Sequence, residues 1–176
     1  MAVTPGNITI GTCTAMFDGV DLGATAEDVV VSPNPEIARI ICDNYGKAPL
    51  GAIEAGLSVA VKVPLTERSF SQLAKLYDGS TVVTDGVTPT KQKLTMGRLV
   101  GSDLNTGTLV LHPQHMGSSA KNFDFTIYKA FIADVGDFSY SPSKQQGRMV
   151  TFEAMVDTSR ADGDQLFCIG DTSATA

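Results

Sequence analysis

From Leu57 to Leu65 the chain alternates with a period of two: Leu57, Val59, Val61, Val63 and Leu65 are apolar, while Ser58, Ala60, Lys62 and Pro64 lie between them. Successive side chains of a strand point to opposite faces, so this run reads as a β-strand with one buried face. The pattern returns near the C-terminus, where Val150, Phe152, Ala154 and Val156 alternate with Thr151 and Glu153, and Met149 and Met155 interrupt the polar face. Apolar residues on a face that should meet water suggest cover by a neighbouring subunit. Further strands are expected over residues 8–15, 28–32, 37–44, 93–100, 108–112, 125–133 and 165–169, each bounded by turn-forming residues. Asp18-Gly19, between Phe17 and Val20, is a tight-hairpin signal, because both central residues of such a turn need positive φ.

One segment changes period. Phe70, Leu73, Ala74 and Tyr77 recur at helical spacing, Ser69 and Gln72 form a Ser-x-x-Gln capping box, and Asp78-Gly79 supplies the exit. A helix this short is marginal alone and must lie across an open sheet face or a barrel mouth to bury its stripe. Residues 79–90, dense in Thr, Val, Gly and Pro, and residues 114–122, dense in Gly and Ser, read as exposed loops, and residues 171–176 as a flexible C-terminus. The expected architecture is mainly β: a single domain over residues 1–176, with a β-sandwich or barrel-like core flanked by one short α-helix.

Charge changes this picture in one respect. Charged residues make up 18% of the chain, below the roughly 25% usual in a soluble domain, as in a subunit that buries much of its exterior against copies of itself. The formal charge of −6 comes without any cluster of Lys or Arg, so tight binding to phosphates lacks its usual electrostatic source. Cys13, Cys42 and Cys168 are odd in number and far apart, which signals neither a disulfide framework nor a metal site and suits a reducing compartment. No apolar run approaches the roughly 20 residues that span a bilayer, and the N-terminus lacks a basic segment followed by an apolar one. The expected location is the cytoplasm or a particle assembled there, with no membrane contact.

The search for chemistry finds little. The two histidines, His112 and His115, flank Pro113-Gln114, with no Ser or Cys in a recognisable nucleophile turn and no zinc-ligand spacing nearby. Asp157 to Gly163 resembles a calcium loop, but the sixth position from Asp157 is Asp162 where Gly is required, and the twelfth is Cys168 where Glu is required. It reads better as an acidic turn, with Arg160 free to pair with Asp157, Asp162 or a carboxylate of another subunit. Asn44-Tyr-Gly-Lys47 lacks the approach of a phosphate loop. Glu54 with Glu67, or Asp134 with Asp137, could be imagined as a hydrolytic pair, yet nothing in the sequence sets their separation. No catalytic, cofactor-binding or metal-binding residue is expected, and the chain does not read as an enzyme.

The order of landmarks carries a resemblance. Gly19-Val-Asp-Leu-Gly-Ala-Thr25 is followed by Val29-Val-Val-Ser-Pro-Asn-Pro-Glu-Ile37, by Asp43-Asn-Tyr-Gly46, by the strand and helix from Val59 to Tyr77, by Val150-Thr-Phe-Glu-Ala-Met-Val156 and by Leu166-Phe-Cys-Ile-Gly170. In that succession, over nearly the whole chain, the sequence resembles the major tail proteins, or tail tube proteins, of long-tailed bacteriophages. The resemblance implies a structural virion protein that forms six-fold rings, stacked into a hollow tube through which viral DNA passes without sequence-specific binding. The implied partners are further copies of the chain, a tape-measure protein in the lumen, a tail terminator and distal tail proteins. The implied location is the tail of a virion.

On that reading Leu57, Val59, Met149, Met155 and Arg160 are candidate contacts between subunits, with the alternative that the Val and Leu positions are core of one subunit. Gly79, Val82, Val83, Asp85, Val87 and Thr90, together with residues 2–6 and 171–176, are candidates for contacts between stacked rings. Asp18, Asp21, Glu36, Asp43 and Glu54 are candidate lumen carboxylates, which would repel the phosphate backbone. Two other readings stand beside it: a terminator or connector ring of the same fold family, and a monomeric β-sandwich that binds carbohydrate or a host surface. The absence of tryptophan lowers the last of these.

Overall fold

The computed structural model describes residues 11–67, 69–97, 100–138, 140–143 and 145–174. Its first hairpin is built as the sequence signal requires. β1 (Cys13–Phe17) turns into β2 (Val20–Asp21) through Asp18 and Gly19, which hold φ of 48° and 74°. These are the mirror-image turn conformations that match the twist of the flanking strands.

The long pair that follows departs from expectation. The expected strands 28–32 and 37–44 are not two: residues 30–32 and 37–41 belong to one, β3 (Val30–Ile41), which passes through Pro33 and Pro35 and pairs with β4 (Pro49–Leu65), while residues 43 and 44 fall in a 3-10 turn. Proline interrupts a central strand because it cannot donate to the ladder, but β3 is the last strand of the sheet order, where one side needs no partner.

The remaining strands are β5 (Ser80–Thr84), β6 (Gln92–Met96), β7 (Gly107–Pro113), β8 (Phe125–Asp134), β9 (Arg148–Ala154) and β10 (Phe167–Ile169). β5 lies inside the stretch expected to be a loop, and pairs with β6 in a separate hairpin. Its Ser-Thr-Val-Val-Thr sequence is rich in β-branched residues, and that propensity outweighs the loop-like composition around it. The first expected strand begins later than predicted, at Cys13; residues 8–10, like residues 98 and 99 of the expected strand 93–100, lie outside the described residues.

The main sheet runs β2-β1-β7-β8-β9-β4-β3, wholly antiparallel along this path, with β10 sharing one edge of β8. Its two ends are brought together by the chain leaving β2. Leu22 N donates to Ala15 O, Ala26 N to Pro64 O and Thr66 N to Ala24 O, so residues 24–26 add to the end of β4 beside β3. The sheet therefore curls upon itself, and its inner face encloses one apolar core: Ala15, Phe17 and Leu22 from the first hairpin, Val59, Val61, Val63 and Leu65 from β4, and Leu109, Leu111, Ile127, Ala130, Val150 and Phe152 from β7, β8 and β9. The mainly β class expected from the alternation is the class observed.

α1 (Phe70–Leu76) starts with the predicted capping box: Ser69 Oγ accepts from Gln72 N at 3.2 Å, and Gln72 Oε1 accepts from Ser69 N at 2.9 Å. The helix packs against β2, β5 and β6. Its inward side differs from the expected stripe, since Leu76 and Gln72 are buried while Phe70 is 36% exposed. Gln72 is drawn inward because its amide also donates to Asp21 O and to Glu67, tying the helix start to β2.

Candidate functional site

Beyond Gly56, β3 and β4 leave the body of the protein and continue as a two-stranded arm closed by a 3-10 turn at Asp43–Tyr45. The pairing with β9 stops at Ala60 opposite Glu153, so nothing described flanks the arm on the β4 side, and β3 is the free end of the sheet on the other. From Leu57 to Pro49, at roughly 3.3 Å per residue, the ribbon reaches about 26 Å. Ala55 and Leu50 are extra residues at two register shifts, which bend and twist the ribbon.

An isolated two-stranded hairpin is marginal in water and would be expected to carry polar residues. This one carries Ile37, Ile40, Ile41, Tyr45, Leu50 and Ile53, each about half or more exposed (49–67%). Ala38 pairs with Ile53 on one face, and Ile37 with Glu54 on the other, so both faces are partly apolar.

The residues singled out in the sequence fall in several places. Val59 is 2% exposed and Leu57 half-buried, both packed in the core, which takes Val59 out of consideration as a contact between copies. Met149 and Met155 are exposed, at 37% and 39%, on and just after β9. Arg160 is committed within the chain, to a partner the sequence reading did not name: Asp164, at 2.6 Å. Gly79, Val83, Asp85, Val87 and Thr90 are exposed on and beside β5, with Val82 half-buried, and Asp85 uses its carboxylate to hold the turn by accepting from Val87 N and Thr88 N. Of the five carboxylates, Glu36, Asp43 and Glu54 stand exposed on the arm, Asp18 pairs with Lys75, and Asp21 accepts from Gly23 N.

A second surface lies over the outer face of β1, β7 and β8. It is a groove of about 610 Å³ with Met16, Val110 and Thr126 on its floor and Ser118, Lys121 and Arg160 at its rim. Two polar pairs wall it. His112 Nδ1 lies 2.6 Å from Asp124, while its Nε2 is buried without a partner. Tyr128 donates its hydroxyl to Asp164 at 2.6 Å, and the Arg160 guanidinium lies 3.6 Å over the Tyr128 ring. Burial, and then the bond to Asp164, push the Tyr128 hydroxyl pKa well up; the Tyr128 and Arg160 bonds hold the Asp164 carboxyl below the usual carboxylate range.

Neither pair was legible in the sequence, because each joins positions 12 and 36 residues apart through strand register. The arm was half legible: residues 37–44 were expected as a strand, but Pro33 and Pro35 hid its continuity with residues 30–32, and Gly51 and Gly56 disguised the outer half of β4.

Among the described residues no three His, Cys, Asp or Glu side chains gather as a metal site would require, and no helix is long and apolar enough to cross a membrane. No protein-family model matches the chain, and no curated protein matches it.

Proposed function

We propose that this chain is a structural, non-enzymatic subunit that assembles with copies of itself into stacked six-fold rings, forming the tail tube of a long-tailed bacteriophage. The observation that carries self-assembly is the arm: a projecting ribbon with apolar residues on both faces and, among the described residues, no partner strand on either edge, the kind of surface that contact with another copy covers. The tube, the six-fold ring and the virion come from the ordered sequence phrases that resemble tail tube proteins, and the curled antiparallel sheet with one short helix is compatible with them.

On this reading the exposed arm carboxylates Glu36, Asp43 and Glu54 suit a passage for DNA, because like charge keeps phosphates from adhering. The partners are further copies, a tape-measure protein, and terminator and distal proteins at the tube ends. Electron microscopy of the purified protein tests the proposal. Long uniform tubes are the expected result; single rings would favour a terminator or connector, and monomers under all salt conditions would end the assembly reading in favour of a monomeric binding module.

A further inference from the structure

The two edges of the β3–β4 ribbon offer different backbone groups, and the closure of the sheet fixes which groups face where. Residues of an antiparallel strand alternate, turning N–H and C=O first to one neighbour and then to the other. Ala26 N donates to Pro64 O and Thr66 N to Ala24 O, so the even-numbered positions at the end of β4 face the side on which β3 lies. The register is unbroken from Leu65 to Ala60 against β9, and from Lys62 to Gly56 against β3. Lys62, Ala60, Ser58 and Gly56 therefore face Val30, Ser32, Asn34 and Glu36 across the ladder, and Val31, Pro33 and Pro35 face outward.

A strand that adds to an edge needs outward N–H groups there. Along the base of β3, proline fills two successive outward positions: neither donates, and each ring occupies the space beside the strand where a partner would lie. The bonds to β4 lose nothing, because the inward residues between the prolines make them. The extra residues Ala55 and Leu50 both lie on β4, so the alternation on β3 continues, with Ala38 and Ile40 inward and Ile37, Arg39 and Ile41 outward. The outward donors of β3 are thus split, Val31 on one side of the prolines and those of the tip on the other. On β4, Leu57 faces away from β3, as do Glu54 and Ala52, the partners of Ile37 and Arg39, and no proline interrupts the strand between Pro49 and Pro64. A strand added there continues in line with β9, whose last pair with β4 is Glu153 with Ala60.

We infer that Pro33 and Pro35 are guards that close the base of the β3 edge to strand addition, so that a second copy joins the arm along β4, at residues 52–57; this rests on the self-assembly reading above and assigns the contact to one edge. A ribbon open from body to tip along both edges is a template for unlimited edge-to-edge pairing. With the base of one edge closed, each arm is joined from one side.

Arg39 and Ala52 are exposed cross-strand partners whose N–H groups face opposite edges, so proline at each reads one edge at a time and leaves the ribbon's own ladder intact. Ala52→Pro is expected to weaken self-association by roughly tenfold or more in sedimentation, through one lost ladder bond and the clash of the ring, while Arg39→Pro associates like wild type. Pro33→Thr with Pro35→Thr, both at exposed positions, restores two outward donors and is expected to give heavier, irregular assemblies at concentrations where wild type is uniform. Thermal melts confirm that each variant is folded. Arg39→Pro weakening association as much as Ala52→Pro does, or a double threonine variant that assembles like wild type, would overturn the edge assignment and leave the assembly reading standing. A wild-type chain that stays monomeric at every concentration would overturn both.

Discussion

Phe17 of β1 and Phe152 of β9 meet in the interior with ring centroids 5.2 Å apart and planes inclined by 49°, although β7 and β8 stand between their strands in the sheet. A flat sheet would keep residues three strands apart at roughly 14 Å, given about 4.8 Å per strand. The contact therefore measures the curl that encloses the core, and the tilted geometry is the arrangement aromatic quadrupoles favour.

Both rings are buried, so truncation leaves a cavity as well as losing the transfer free energy. Phe152→Ala is expected to lower stability by about 3–5 kcal/mol, read from the denaturant midpoint in urea. An unchanged midpoint would mean that the sheet does not close as described.

The capping box has a separable contribution. Ser69→Ala removes the oxygen that accepts from Gln72 N, and a cap of this kind contributes about 1 kcal/mol. The same melts should show this smaller loss, while Ser69→Asp, which retains an acceptor, should recover most of it.

Gly136 holds φ of +66°, and a Cβ there would sit 2.5 Å from the Met149 carbonyl oxygen. That atom belongs to the backbone of β9 and cannot swing aside. Gly136→Ala is expected to cost at least about 1–3 kcal/mol, more than the strain of the left-handed conformation alone, and a neutral result in thermal melts would contradict this close approach.

The Asp164 carboxyl is held below its ordinary range by the Tyr128 hydroxyl and then by Arg160, so its bonds contribute stability above the ordinary carboxylate range and lose it as pH falls through the lowered value. Tyr128 is shifted up, chiefly by burial, so its contribution is lost as pH rises past the ordinary tyrosine range. Asp164→Asn should flatten the acid limb of a stability-pH curve, and Tyr128→Phe the alkaline limb. Limbs identical to wild type in both variants would show that the pair is not formed.

The arm should separate folding from assembly. Ile53 is 59% exposed, and surface substitutions of this kind usually change stability by no more than about 0.5 kcal/mol. Ile53→Asp is expected to melt like wild type yet to reduce self-association at least tenfold in sedimentation, whereas equal loss of both would place Ile53 in the fold and not at a contact.

Local signals determined much of this protein. Alternation from Leu57 to Leu65 marked the core face of β4, because burial of one sheet face leaves a period of two; Asp18-Gly19 and Ser69 with Gln72 marked a turn and a helix start, because backbone conformation and orphan amides constrain residue type over a few positions. What needed the tertiary structure was everything set by neighbours distant in the chain. Pro33 and Pro35 are compatible with a strand only at a sheet end, and sheet order is not encoded locally. His112 with Asp124, and Tyr128 with Asp164, depend on register between elements. The solvent exposure of Ile37, Ile40 and Ile53 follows from where β9 stops pairing, a boundary that no window around those residues contains.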